Sequence, residues 1–256
     1  MNGKKSVILR SFYDQPCLDL SRALLGKVLC RQTAEDIVLR GRIVETEAYP
    51  GAADPASHSF NAKKTKRNGA MFMEPGTSYV YSIYGMYYCF NISSQGKFIH
   101  PRPTVSVGSR PTLPPFPLAE SGGAVLIRSL EPLCSAGSKE YAEMSRNRRK
   151  RSKKTDKSMK ITDLCSGPSK LCQALDINKD NLNEVDLTRS EDIWLEDAPS
   201  TDGSSIFVST RIGIDGAGKE SAEKPFRFYE KDNIHVSVLD KQDDFKKRKR
   251  NLSRSK

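Results

Sequence analysis

The chain has no apolar run long enough to span a bilayer, which argues against a membrane-crossing helix. Its opening holds only the short apolar stretch Val7-Ile8-Leu9, too short for the core of a secretory signal. A cytosolic or nuclear location is expected. The six cysteines form no CxxC pair, and the three histidines (His58, His100, His235) are scattered. That spacing argues against zinc and iron–sulfur sites, so no metal is expected. Most of the thiols sit among apolar residues and read as reduced core cysteines. No internal repeat is present. At 37% the apolar fraction is modest, enough for one core, with part of the 256-residue chain expected to stay unstructured.

Positive charge, by contrast, is abundant, and its location matters more than the net +11. Arg146 to Lys160 holds nine Lys/Arg against one Asp, and Phe245 to Lys256 holds seven with no acid. The rest of the chain is net acidic. Blocks of like charge repel themselves and tend to stay disordered. They still attract phosphates through counterion release, which needs no fixed geometry. The run Lys246-Lys247-Arg248-Lys249-Arg250 also reads as a nuclear-import signal, so the expected location narrows to the nucleus. A merely solubilising tail is the plainer alternative.

Hydrophobic patterning predicts a short helix over Asp19–Leu25 closed by Gly26, then strands at Val28–Arg31 and Ile37–Tyr49. Further strands are expected at Ser78–Ile83, Tyr87–Ile92, Ala124–Arg128, Ile206–Ile214 and Phe226–Leu239. Helices are expected over Glu131–Met144 and within Leu164–Leu175. Strands mixed with segregated helices give an α+β class, a single mixed domain. We expect a curved, mainly antiparallel sheet, flanking helices and a protruding β-hairpin. The expected organisation is an N-terminal tail (1–8), one domain (9–240) and a basic C-terminal tail (241–256). Within the domain, 97–123 reads as a Pro/Ser/Gly-rich surface insertion and 145–160 as a basic flexible segment.

Three segments carry chemistry. On the strand Gly41 to Tyr49, alternation puts Glu45, Glu47 and Tyr49 on one face. A carboxylate against an aromatic wall can be desolvated into a useful base. On these residues alone, a solvated strand with alternating Glu is an equal alternative. Tyr79 to Asn91 crowds aromatics into a hairpin, most of which suit an ordinary core. Tyr84 differs, because Gly85 beside it marks the turn, where a large aromatic is exposed and can wedge into a base stack. In Leu164 to Cys172, a Gly-Pro turn opens a helix whose amides and Lys170 can grip a phosphate, a weak signal taken alone.

Together these segments resemble the alkyladenine (methylpurine, or 3-methyladenine) DNA glycosylase family. The resemblance begins near Phe12-Tyr13-Asp14-Gln15-Pro16. It runs through Glu45-Thr46-Glu47-Ala48-Tyr49, Met71-Phe72-Met73, Pro75-Gly76-Thr77, Tyr79 to Gln95, Leu126-Ile127-Arg128, Leu164 to Leu175 and Phe226-Arg227-Phe228-Tyr229. It implies that Glu47 is the general base and Arg128 its support. It implies a base pocket of Tyr49, His58 and Tyr81, with Asn91 disfavouring a 2-amino purine. Tyr84 is implied as the wedge, and Met86, Ser169 and Lys170 as contacts to the DNA backbone.

The implied reaction is base-excision repair. Alkylated or deaminated purines (3-methyladenine, 7-methylguanine, hypoxanthine, ethenoadenine) are flipped from double-stranded DNA and hydrolysed off by a Glu-activated water. An abasic site remains. No cofactor, no Schiff-base lyase step and no membrane are implied, and a monomer is expected. The sequence departs from the pattern in its long 97–123 loop, in Gly216 where many relatives carry histidine, and at Lys66 and Glu74. Two rivals remain: a non-enzymatic damaged-DNA-binding protein, for which Glu47 and Arg128 are superfluous, and a hydrolase of free nucleosides, for which Tyr84 and the basic blocks are.

Overall fold

In the computed structural model, residues 6–94, 122–150 and 159–243 are described. The elements, in order, are α1 (Arg10–Tyr13), α2 (Cys17–Ala23), β1 (Val28–Gln32), β2 (Val38–Tyr49), β3 (Ser78–Ile83), β4 (Tyr87–Ser93) and β5 (Ala124–Pro132). Then follow α3 (Lys139–Arg149), α4 (Ile161–Leu164), α5 (Pro168–Ala174), α6 (Lys179–Leu182), β6 (Ile193–Glu196), β7 (Ile206–Ser209), α7 (Lys219–Ala222) and β8 (Arg227–Glu230).

All eight strands join one antiparallel sheet, with the main order β3-β4-β5-β2-β1-β6. This is the expected α+β class. β2 is the spine. One edge pairs with β5 along Gly41–Tyr49, and the other is shared between β1 and then β8. The register against β5 slips between Ile43 and Thr46, a bulge centred on Glu45. Bulges re-aim side chains and collect next to functional sites. β5 opens on the apolar run Ala124–Ile127, β2 mixes apolar with charged residues, and both are buried along most of their length. Leu20, Leu24, Ile43, Val125, Ile127, Leu130 and Leu171 share the main core, which α2 and α5 cover.

The β3–β4 hairpin turns through Tyr84 and Gly85, both left-handed at φ +50° and +66°. Met86 N–H closes the turn on Ile83 O at 3.2 Å. Two positive φ values are what a type I′ turn demands, and its twist suits a hairpin. Glycine meets that demand freely. For tyrosine the left-handed region costs about 1–2 kcal/mol.

Several boundaries differ from expectation. β5 runs to Pro132, so Glu131 and Pro132 are strand and not helix. Helix α3 starts later, capped by Ser138, whose hydroxyl accepts the Tyr141 N–H, and continues to Arg149. The first residues of the expected flexible basic segment are therefore helical. They are not left to repel one another: Arg146 pairs with Glu35 and Glu143, and Lys150 lies 3.5 Å from Asp176. Cations also suit a helix C-terminus. Val7 bridges Glu196, and Ile8 is buried, so the N-terminal tail is tied down by its end. Asp243, just past the expected domain edge, accepts the Tyr229 hydroxyl. β7 and β8 stop early, β8 because Asp232 turns left-handed at φ +60°. Residues 97–121, 151–158 and 244–256, including the expected import signal, lie outside the described residues.

Candidate active site

β2 delivers Glu45 and Glu47 to the interior with no solvent exposure. The solvated alternative for this strand is excluded. Both carboxylates meet arginines. Arg128, on β5, places Nη1 3.1 Å from Glu47 Oε1 and Nε 3.1 Å from Glu45 Oε1. Arg227, on β8, adds Nη1 at 2.8 Å from the same Glu45 oxygen. The Ser237 N–H donates to Glu45 Oε2 at 2.7 Å. Glu47–Arg128–Glu45–Arg227 thus forms a buried chain of alternating charge. Burial works against the Arg128 charge, but Glu47 and Glu45 outweigh it and raise the pKa further. Glu45 is a residue the sequence showed beside Glu47 without a role. It now has one, since it holds the far edge of the arginine that faces Glu47.

Glu47 accepts two further bonds. Ile212 N–H donates to Oε1 at 2.8 Å, and the Tyr49 hydroxyl donates to Oε2 at 2.9 Å. A carboxylate offers about four acceptor directions. Three donors leave roughly one open, and Glu47 lines a cavity of about 660 Å³. Seven of the residues singled out from the sequence line that cavity: Glu47, Tyr49, His58, Tyr81, Tyr84, Asn91 and Arg128. Arg67, Met71, Tyr79, Cys89 and the 212–214 loop complete much of its wall.

The aromatic wall is uncharged at neutral pH. Burial first, then the Glu47 charge, pushes the Tyr49 phenol well up. Burial does the same for Tyr81. His58 stands in an exposed loop, yet its ring packs edge-on against Tyr81, centroids 4.7 Å apart, with Nδ1 2.8 Å from the Tyr79 hydroxyl. Desolvation of the ring, then the Arg67 charge, pushes its pKa down to about 4. Asn91 donates Nδ2–H to Tyr79 O at 2.9 Å, which locks its amide across the β3–β4 ladder.

Tyr84 is 88% exposed at the hairpin tip, with Met86 half exposed beside it. Met86 lines a smaller groove and not the large cavity. Ser169 and Lys170 sit on the first turn of α5, where Lys170 Nζ is 3.3 Å from Ser166 Oγ. Pro168 brings that turn to the cavity edge. Five of the six cysteines are buried, and all are free thiols. Among the described residues, no group of three or more His, Cys, Asp or Glu is arranged to hold a metal ion. No described helix is long and apolar enough to cross a membrane.

A buried carboxylate–arginine pair lining an aromatic cavity, with the exposed Tyr84 at the hairpin tip beside it, is the arrangement of a candidate active site. Comparison with known proteins specifies the family. The sequence profile described as Methylpurine-DNA glycosylase (MPG) matches residues 11–99 and 118–234. A mouse DNA-3-methyladenine glycosylase is 44% identical over 234 residues, covering 90% of this chain and 61% of that protein. Its human counterpart is 45% identical over 233 residues, covering 90% and 67%. A Clostridium botulinum relative is 39% identical over 231 residues, covering 90% and 98%. The chain belongs to the methylpurine-DNA glycosylase family. It spans about three fifths of the length of the mouse relative.

Proposed function

We propose that the protein is a monofunctional DNA glycosylase of base-excision repair. It flips alkylated or deaminated purines from double-stranded DNA and hydrolyses their N-glycosidic bond, with Glu47 as the base. The observation that carries this reading is the setting of Glu47, a fully buried carboxylate with three donors and one free acceptor direction facing a cavity.

As the purine leaves with the bonding electrons, positive charge develops at C1′ of the sugar. Glu47 stabilises that charge, takes a proton from the water, and the hydroxide bonds to C1′. Arg128 keeps Glu47 oriented. Tyr49 and Tyr81 supply aromatic faces, which favour a cationic 3-methyladenine or 7-methylguanine by about 0.5–2 kcal/mol. His58 serves neutral lesions such as hypoxanthine and ethenoadenine. With the Tyr79 hydroxyl donating to His58 Nδ1, the Nε2–H is left as a donor to the base. The locked Asn91 amide crowds a 2-amino group. Tyr84 fills the gap in the stack, and Met86, Ser169 and Lys170 meet the backbone. The protein works as a monomer in the nucleus, within one domain spanning about 9–240.

The test is release of free hypoxanthine from a duplex carrying one such base, read as alkali-labile abasic sites, beside the free deoxynucleoside. Cleavage of the duplex alone, with no covalent adduct under borohydride, is expected. Damage-selective binding without release moves the protein to the binding class, and equal turnover of the nucleoside makes it a nucleoside hydrolase.

A further inference from the structure

Arg211 and Asp54 belong to none of the segments that pointed to the site, yet they stand directly behind it. The Arg211 side chain has no solvent exposure and Asp54 almost none. Both Asp54 oxygens accept from Arg211, Oδ1 at 2.9 Å from Nη2. The guanidinium also donates to Ala48 O at the end of β2 and to Ser221 on α7. The Ser221 hydroxyl turns back to Asp54 Oδ1 at 2.7 Å. Burial alone would push the Asp54 carboxyl up, but Arg211 and Ser221 pull it below the usual carboxylate range. The pair is therefore a buried ion pair tying β2, the 51–57 loop, α7 and the 210–214 loop.

Two of its neighbours act on Glu47. Ile212, next in sequence to Arg211, supplies the amide on Oε1. Tyr49, whose hydroxyl holds Oε2, has the Arg211 guanidinium 4.8 Å over its ring. Tyr49 lines the cavity and Arg211 does not, so the cation backs the ring from the buried side.

We propose that Asp54 and Arg211 are positioning and specificity residues: together they hold the Ile212 amide and Tyr49 on Glu47, and Asp54 cancels the Arg211 charge so that a cationic purine can stack on Tyr49. The inference rests on the glycosylase reading above. A purine on the open face of Tyr49 lies about 3.5–4 Å from the ring. The guanidinium is then about 8 Å away, through a medium that screens poorly. An uncompensated Arg211 would repel a cationic lesion there and leave a neutral one untouched. A pair that served only stability would affect all lesions equally.

The test compares wild type, Asp54→Asn and the double variant Asp54→Asn/Arg211→Gln. Single-turnover excision is measured from duplexes with 7-methylguanine, which is cationic, and hypoxanthine, which is neutral. The ratio of the two rates in one preparation is independent of the fraction folded. Asp54→Asn is expected to lower the 7-methylguanine-to-hypoxanthine ratio about tenfold. The double variant carries no unpaired buried charge. It is expected to restore the ratio to within about twofold, with both rates below wild type because Ile212 has lost its anchor. Equal losses on both lesions in Asp54→Asn, or a ratio still shifted in the double variant, overturn the charge role. Full wild-type rates in the double variant overturn the positioning role, and that arm stands even where Asp54→Asn does not fold. Wild type inactive on both duplexes overturns the glycosylase reading itself.

Discussion

Nη1 of Arg128 lies 3.1 Å from Oε1 of Glu47, with the Glu47 side chain fully buried and Arg128 nearly so. An ion pair that dry is expensive to break from one side. Truncating one partner leaves a buried charge without compensation, at a cost of about 3–5 kcal/mol. Arg128→Met would leave Glu47 without its arginine, while Glu45 keeps Arg227. The expected result is a loss of stability of that order in denaturant melts, together with loss of excision. A change below about 1 kcal/mol would mean that the Ile212 amide and the Tyr49 hydroxyl suffice to hold Glu47.

Tyr84 is held in the left-handed region at φ +50° while almost wholly exposed, so it strains the turn and packs against little. Tyr84→Asn is expected to leave the melting temperature unchanged or raise it slightly, by up to about 1 kcal/mol of stability. Excision from duplex DNA should fall by an order of magnitude or more. A stability loss with normal excision would assign Tyr84 to the fold and not to DNA.

The depressed His58 pKa sets a pH signature. The folded imidazole titrates near 4 and the unfolded one near 6.5. As pH falls between those values, the unfolded chain takes a proton that the folded chain refuses, so His58 contributes a loss of stability towards acid. Above about pH 6.5 the contribution is constant. Histidine NMR resonances should show one imidazole still neutral at pH 5. If the His58 signal titrates near 6.5, the neutral donor assigned to it for hypoxanthine fails.

Much of this site was legible because its chemistry is local. Glu45, Glu47 and Tyr49 alternate on one strand, and the Tyr84-Gly85 pair announces its own turn. The main strands followed from apolar runs, and β1 to β5 fell within a few residues of expectation. What sequence missed depends on distance. β6 is four residues between acidic neighbours, too short for a pattern, and becomes a strand only because β1 offers it a partner. The expected strand through Ile214 ends at Ser209, and two residues on Arg211 reaches Asp54, a buried acid 157 positions away. The Ile212 amide on Glu47 has no side-chain signature at all. Helix α3 runs into the basic block because Glu35, Glu143 and Asp176 meet its cations, partners that a local charge count omits.

The role proposed for Glu47 is to take the proton from the attacking water. Glu47→Gln keeps the side chain's shape but removes the base. The measurement is single-turnover excision of hypoxanthine or 1,N6-ethenoadenine from duplex DNA by wild type and variant, with binding to the damaged duplex measured in parallel. Damage-specific binding should be retained and excision slowed by about 10²-fold or more. Excision at equal rates by the two proteins would contradict that role.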